Sequence, residues 1–107
     1  IGGDPVPGMS FVDALKMVEA NTRTEQIILV GEIGGTTEQL AADYIAEHVS
    51  KPVYGLIVGH SAPAGQTFGH AGAIVGTDSE SASAKTEHLR QKGIQMSATL
   101  DELISQL

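Results

Sequence analysis

The spacing of hydrophobic and polar positions predicts helices that alternate with strands along the chain. Apolar residues recur three and four positions apart over residues 11–20 and 38–49, which indicates two amphipathic helices. The run 27–33 begins with four consecutive apolar residues, three of them β-branched, and such a run is typical of a strand covered on both faces. A second short strand is predicted over 53–58 and a third over 94–98.

Capping residues place the other helix boundaries. Ser10 and the acidic residue three positions later form a capping arrangement that opens the first helix. Gly93 lies where a left-handed cap would end a third helix over 81–92, and Thr99 caps a last helix over 100–107. The order helix, strand, helix, strand, loop, helix, strand, helix predicts right-handed crossovers and a parallel sheet.

The first two predicted helices each have an apolar face. In the first helix this face comprises Phe11, Ala14, Leu15 and Val18. In the second it comprises Leu40, Ala41, Tyr44, Ile45 and His48. The charged face of the second helix, with Glu38, Asp43 and Glu47, is most simply solvated, and no chemistry is assigned to it.

Composition and charge restrict the class of protein. The chain has 107 residues, which suits one domain over 1–107, and 41 % of them are hydrophobic, unlike a disordered segment. The 6 Lys and Arg are scattered among 13 Asp and Glu, giving a net charge of −7, so no nucleic-acid partner is predicted. Without cysteine there can be no disulfide, thiolate zinc site or cysteine nucleophile. The longest apolar run, 27–30, is too short to cross a bilayer, so no membrane partner is predicted.

Glu32 is the first candidate for chemistry. It belongs to the motif GEIGGT at 31–36, between the end of a predicted strand and the start of a helix. Ligands of open α/β sheets bind at that edge, where helix N–H groups also attract anions. A carboxylate there could orient a base or neutralise a cation, whereas the simpler alternative is a tight turn that needs glycine. The motif is neither a Walker A loop nor a dinucleotide fingerprint.

His70 is the second candidate, in a predicted loop over 59–72. Small residues flank it, which leaves the imidazole accessible for nucleophilic or acid–base chemistry, and a structural hydrogen bond is the alternative. His48 and His88 fall within predicted helices and are expected to be solvated or packed. His60 shares the loop with His70, so a metal pair is conceivable, but no third ligand has recognisable spacing and no metal is predicted.

Several motifs recur in the order and spacing of a known family. They are IGGDPVPG at 1–8, GEIGG at 31–35, KPV at 51–53, AP at 62–63 and, above all, GHAGAI at 69–74. With these motifs the whole chain resembles the C-terminal domain of the α subunit of succinyl-CoA synthetase, in the NDP-forming acyl-CoA ligase superfamily. The resemblance implies an α/β, flavodoxin-like three-layer domain with a parallel sheet that lacks its first strand and helix. The chain would then be a fragment of a longer α subunit, with apolar residues of 27–30 partly uncovered at an unpaired sheet edge.

The same resemblance implies a function. His70 matches the family's phosphohistidine, which passes a phosphoryl group between nucleotide and succinyl phosphate during interconversion of succinyl-CoA and succinate. Glu32 matches the acid that hydrogen-bonds and orients this histidine. The implied partners are a nucleotide-grasp β subunit, an N-terminal CoA-binding domain and succinate or a related carboxylate. The complete enzyme would use CoA, ATP or GTP, and Mg²⁺, none of them held by this segment, which is expected to be inactive alone.

Alternative functions remain open. A malate-CoA ligase, or the corresponding part of ATP citrate lyase, would use the same histidine on another carboxylate. A non-catalytic flavodoxin-like interaction module is a further alternative, because positive charge near the site is missing. QTF at 66–68 stands where the family usually has basic residues, and GTDS at 76–79 replaces the Gly-Gly-Lys-Gly that often follows. The family occurs in the cytoplasm and in mitochondria, so the expected compartment is the cytoplasm, with the mitochondrial matrix as the alternative.

Overall fold

The sheet in this computed structural model has parallel strands that follow one another in chain order. The structure describes residues 4–60 and 77–107. Within these ranges strand β1 is Ile27–Gly31, β2 is Val53–Ile57 and β3 is Gln95–Ser97, arranged in the order β1-β2-β3. Both neighbouring pairs are parallel, so the predicted parallel sheet is confirmed.

Helices alternate with these strands. Helix α1 is Phe11–Ala20, α2 is Thr37–His48, α3 is Ala82–Gln91 and α4 is Leu100–Gln106, and a 3₁₀ turn over Asp78–Glu80 precedes α3. Each helix agrees with its predicted range to within one residue at either end. The connections between parallel strands therefore run through helices, as an α/β fold requires.

The predicted capping residues explain where the helices begin and end. Ser10 Oγ accepts a hydrogen bond from Asp13 N, and the Asp13 carboxylate accepts one from Ser10 N, both at 3.1 Å, which is a complete capping box at the start of α1. Thr99 Oγ1 accepts from Glu102 N at 3.1 Å at the start of α4. Gly93 has φ of 89°, the left-handed conformation predicted after α3.

The fold has three layers, because helices pack on both faces of the sheet. Helices α1, α2 and α3 contribute to the main core on one face of the sheet. Its buried members are Leu15, Leu29, Ile33, Ala41, Ala42, Ile45, Val53, Ile57, Ala82, Leu89 and Ile94. Helix α4 packs against β2 and β3, and Leu103 and Leu56 are buried outside the main core cluster. Successive strand residues face opposite sides, so Leu56 lies on the face away from Ile57, and the predicted layered α/β fold is confirmed.

Strand β1 is covered on one face only among the described residues. Ile28 is 46 % exposed and Val30 is 54 % exposed, whereas Leu29 between them is buried. The prediction that this strand is covered on both faces is therefore wrong, because the layer on the exposed side consists of α4, which packs on β2 and β3. The partial exposure implied by the resemblance is confirmed. The strand also ends at Gly31 rather than at 33, since the backbone turns immediately afterwards.

The buried face of α2 differs from the predicted one. Leu40 is 60 % exposed and the side chain of His48 is 57 % exposed, so neither belongs to the core. Glu38, which was expected on a solvated face, is only 4 % exposed, and Gln39 is 8 % exposed. The cause is that both residues lie in the first turn of α2, which contacts the segment before α3. There Gln39 Nε2 donates to Ser79 O at 2.7 Å.

Some predictions fall on residues that the structure does not describe. The imidazole of His70 and most of the loop predicted over 59–72 lie outside the described residues, as do residues 1–3. Among the helices that are described, none combines the length and the apolar character needed to cross a membrane.

Candidate functional site

The turn that joins β1 to α2 carries the first candidate, Glu32. The backbone of this turn changes direction at Gly34 and Gly35, whose φ angles are 90° and 61°. Glycine adopts this left-handed conformation readily because it has no Cβ to cause steric strain. Helix α2 begins two residues later at Thr37. Glu32 therefore lies at the carboxyl end of a parallel strand, where ligands of open α/β sheets bind.

Hydrogen bonds from neighbouring segments hold the two ends of this turn. Val58 N donates to Gly31 O at 2.9 Å, which continues the pairing of β1 with β2 past the last paired residues. Gly34 N donates to Glu80 O at 3.0 Å, which ties the turn to the segment before α3. These hydrogen bonds fix the turn to β2 and to the segment before α3.

A buried ion pair lies directly beneath the turn. Lys85 Nζ in α3 is 2.5 Å from Glu38 Oε2 in α2, and the two side chains are 0 % and 5 % exposed. Lys85 Nζ also donates to Glu32 O and to Gly34 O, each at 2.6 Å. Glu38 Oε1 accepts from Glu32 N at 3.3 Å. The pair therefore contacts the backbone of Glu32 on both sides.

The sequence pattern gives no role to Lys85 and places Glu38 on a solvated face. A signal for Lys85 exists in the spacing, because it lies three residues after Ala82 and four before Leu89, both of which are buried. A lysine on the apolar face of a helix requires a buried partner. The sequence alone offers no means of choosing Glu38 as that partner, since 47 residues separate the two.

The second strand brings His60 to the same edge of the sheet. His60 follows the end of β2, and its Nε2 lies 3.5 Å from Thr86 Oγ1, next to Lys85 in α3. Two described residues, one on either side of His70, approach the turn after Glu32: a Cβ added to Gly59 would lie 2.7 Å from Cγ2 of Ile33, and Glu80 O accepts from Gly34 N. The distance between Glu32 and His70 involves a residue outside the described ranges.

The remaining two histidines, which were expected to be solvated or packed, have side chains that are at least partly exposed. His88 donates through Nε2 to Asp43 Oδ1 at 2.9 Å. This hydrogen bond is the main cause that holds the pKa of Asp43 below its usual value. The ring of His48 lies 4.8 Å from that of Tyr44. In the parts of the chain that the structure describes, no three His, Cys, Asp or Glu side chains cluster as metal ligands would.

Comparison with protein-family models gives a match over residues 1–95, to the model described as CoA-ligase. The chain belongs to the CoA-ligase family. The match includes both Glu32 and His70. It therefore confirms the family that the motifs indicated, while the roles of the two residues rest on other grounds.

Relatives within the CoA-ligase family agree with this result. The chain is 47 % identical over its full length to the α subunit 1 of an ADP-forming succinate–CoA ligase from Archaeoglobus fulgidus. It is 44 % identical over 96 % of its length to the corresponding α subunit from Staphylococcus epidermidis. It spans 36 % and 34 % of these two proteins, so it matches about a third of their length.

A solved structure gives the same picture of the CoA-ligase fold. The chain superimposes on ATP citrate lyase from Methanothrix soehngenii, solved in complex with citrate and coenzyme A, with a TM-score of 0.88 and 33 % identity. The superposition covers 95 % of this chain and 17 % of that protein. The α/β layers described above are thus those of a family member with known structure.

Proposed function

We propose that this chain is the phosphoryl-accepting part of the α subunit of an NDP-forming succinate–CoA ligase. In this proposal His70 accepts the phosphoryl group, and the Glu32 carboxylate orients its imidazole. The reaction is the interconversion of succinate and succinyl-CoA coupled to a nucleoside diphosphate and triphosphate, in the cytoplasm. The similarity to the two succinate–CoA ligase α subunits supports the choice of substrate.

One observation carries the assignment of the two residues. Glu32 lies on a turn at the carboxyl edge of the sheet, where His60 also follows the end of β2. Gly34 N donates to Glu80 O only a few residues after Thr77, and His60 lies against Thr86. The described residues on both sides of His70 thus contact the turn after Glu32 or helix α3, which supports a role for His70 at this edge of the sheet.

The chemistry needs a neutral imidazole with one nitrogen available. In the proposed step, a lone pair on one nitrogen of His70 attacks the phosphorus of succinyl phosphate or of the nucleoside triphosphate. A P–N bond forms as the P–O bond to the leaving group breaks, and the leaving group keeps the electron pair. Glu32 accepts the hydrogen bond of the other ring nitrogen, which fixes the tautomer and stabilises the positive charge that develops on the ring.

Other parts of the enzyme would supply the remaining groups. In the proposal a nucleotide-grasp β subunit binds ATP or GTP with Mg²⁺, and an N-terminal domain binds CoA. This chain contributes the accepting histidine and the turn that orients it, and it completes a reaction cycle only in that assembly.

Phosphorylation of the assembled protein tests the proposal. The chain is combined with the N-terminal CoA-binding domain of a related α subunit and with a β subunit, then incubated with ATP labelled at the γ-phosphate. We expect acid-labile label on the chain, and His70→Asn should abolish it. His88→Asn is the matched control, because His88 bonds to Asp43 on the surface and should not affect labelling. Label that survives His70→Asn contradicts the proposal.

A second candidate is the corresponding part of an ATP citrate lyase, favoured by the superposition on that enzyme. The same assembly distinguishes the two, since succinate or citrate added with CoA should remove the label only where it is the substrate. An assembly that forms but is never labelled would instead favour a non-catalytic interaction module.

A further inference from the structure

The ammonium group of Lys85 is enclosed within the protein with all its donors used. The side chain is 0 % exposed, and Nζ contacts three oxygen atoms, Glu38 Oε2, Glu32 O and Gly34 O, at 2.5 to 2.6 Å. An ammonium has three N–H donors. Two of these bonds go to the backbone of the turn that carries Glu32, so Lys85 connects α3 to this turn.

Glu38 holds the same turn from the other side. Its Oε1 accepts from Glu32 N, and its Oε2 accepts from Lys85 Nζ. The N–H and the C=O of Glu32 are therefore both bonded to one buried ion pair. With these two groups held, the direction in which the Cα–Cβ bond of Glu32 leaves the backbone is fixed, and so is the starting point of its carboxylate.

Stability alone does not account for this arrangement. Burying two charges costs desolvation energy, and a well-packed apolar pair often serves stability equally well. Lys51 shows that backbone carbonyls can be bonded without such burial. Its Nζ donates to Val18 O at 2.7 Å and Asn21 O at 2.6 Å at the end of α1, while the residue stays partly exposed. What Lys85 and Glu38 add is a fixed geometry at Glu32.

We propose that Lys85 and Glu38 form a positioning pair, which holds the backbone of Glu32 and so fixes the position from which its carboxylate orients the phosphoryl-accepting imidazole. The catalytic half of this inference rests on the proposed roles of Glu32 and His70. Its structural half, that the pair fixes the turn, is independent of those roles. The two halves therefore have separate tests.

Hydrogen exchange tests the structural half in the full chain. The variant Lys85→Met/Glu38→Met removes both charges and the side-chain atoms that bond the turn, with little change in side-chain length, so no unpaired charge is left in the core. We expect the amides of Glu32 and Gly34 to exchange at least about tenfold faster than in the unmodified chain, with β3 unchanged. Lys51→Met is the matched control and should leave both amides as they are. Unchanged exchange at Glu32 in the double variant overturns the inference.

A cycle of variants tests the catalytic half in the assembly used above. Lys85→Met/Glu38→Met should lower the rate of labelling about tenfold, because a misplaced carboxylate no longer orients the imidazole. In a Glu32→Gln background the same change should cost less than about twofold, because the pair acts through Glu32. Full losses in both backgrounds would mean that the pair does not act through Glu32 and would overturn the inference. An assembly that is not labelled at all overturns the proposed function, and hydrogen exchange then decides the positioning role alone.

Discussion

A Cβ added to Gly31 would lie 2.6 Å from Cγ of Glu38 and 2.8 Å from its Oε1. The last residue of β1 and the first turn of α2 therefore pack so closely that there is room for the hydrogen of glycine but not for a methyl group. The same hypothetical Cβ would lie 2.8 Å from Cδ1 of the buried Ile57. The close approach of strand and helix, and with it the reach of Glu38 to the turn, depends on glycine at this position.

Gly31→Ala should therefore destabilise the chain. Neither Glu38 nor Ile57 can move into solvent to admit the methyl group, and overpacking of this kind costs about 1–3 kcal/mol in the free energy of unfolding. Urea denaturation measures the change. Gly8→Ala is the matched control, because a Cβ at Gly8 would meet nothing within 4 Å. Equal midpoints for the two variants would contradict the packing described here.

Replacing one member of the ion pair should destabilise the chain more than replacing both. Lys85→Met leaves the carboxylate of Glu38 buried without its cation, and breaking a buried pair in this way costs about 3–5 kcal/mol. Lys85→Met/Glu38→Gln removes the uncompensated charge and should recover a large part of that loss. Thermal and urea unfolding of both variants provide the comparison. A double variant less stable than the single one would show that the charge of Glu38 is not the source of the cost.

Acid should weaken the contact between the end of α1 and the start of β2. Hydrogen bonds from Ser50 Oγ and Ser50 N, at 2.5 and 3.0 Å, hold the pKa of Glu19 below its usual value. Because the folded-state pKa is the lower one, this stabilisation is complete above the unfolded value of about 4.3 and disappears as pH falls through the folded pKa. Carboxyl NMR titration should show the pKa of Glu19 rising in Ser50→Ala. The pKa of Asp13, lowered by Ser10, should not move.

Local signals in the sequence were sufficient for the elements of this fold. The capping box of Ser10 and Asp13 is complete within four residues, and the left-handed Gly93 marks the end of α3 without any tertiary contact. Glu38 and Lys85 are different, because their burial depends on the packing of α2 against α3, two helices that are far apart in the sequence. A charge pattern that looks solvated along α2 therefore became a buried contact. The position of Glu32 could be predicted from the strand and helix boundaries, but the bonds that hold it could not.

The exposed face of β1 should make the chain associate with itself. Ile28 and Val30 are about half exposed on a strand at the edge of the described sheet, beside an apolar groove of about 300 Å³ between α1 and β1. Exposed apolar edges of this kind favour pairing with other chains. Light scattering over a range of concentrations should show a mass above that of the monomer, and Val30→Lys should reduce it. Val6→Lys is the control, because Val6 is 88 % exposed and lies outside the sheet. A chain that stays monomeric at high concentration would show that Ile28 and Val30 do not drive association.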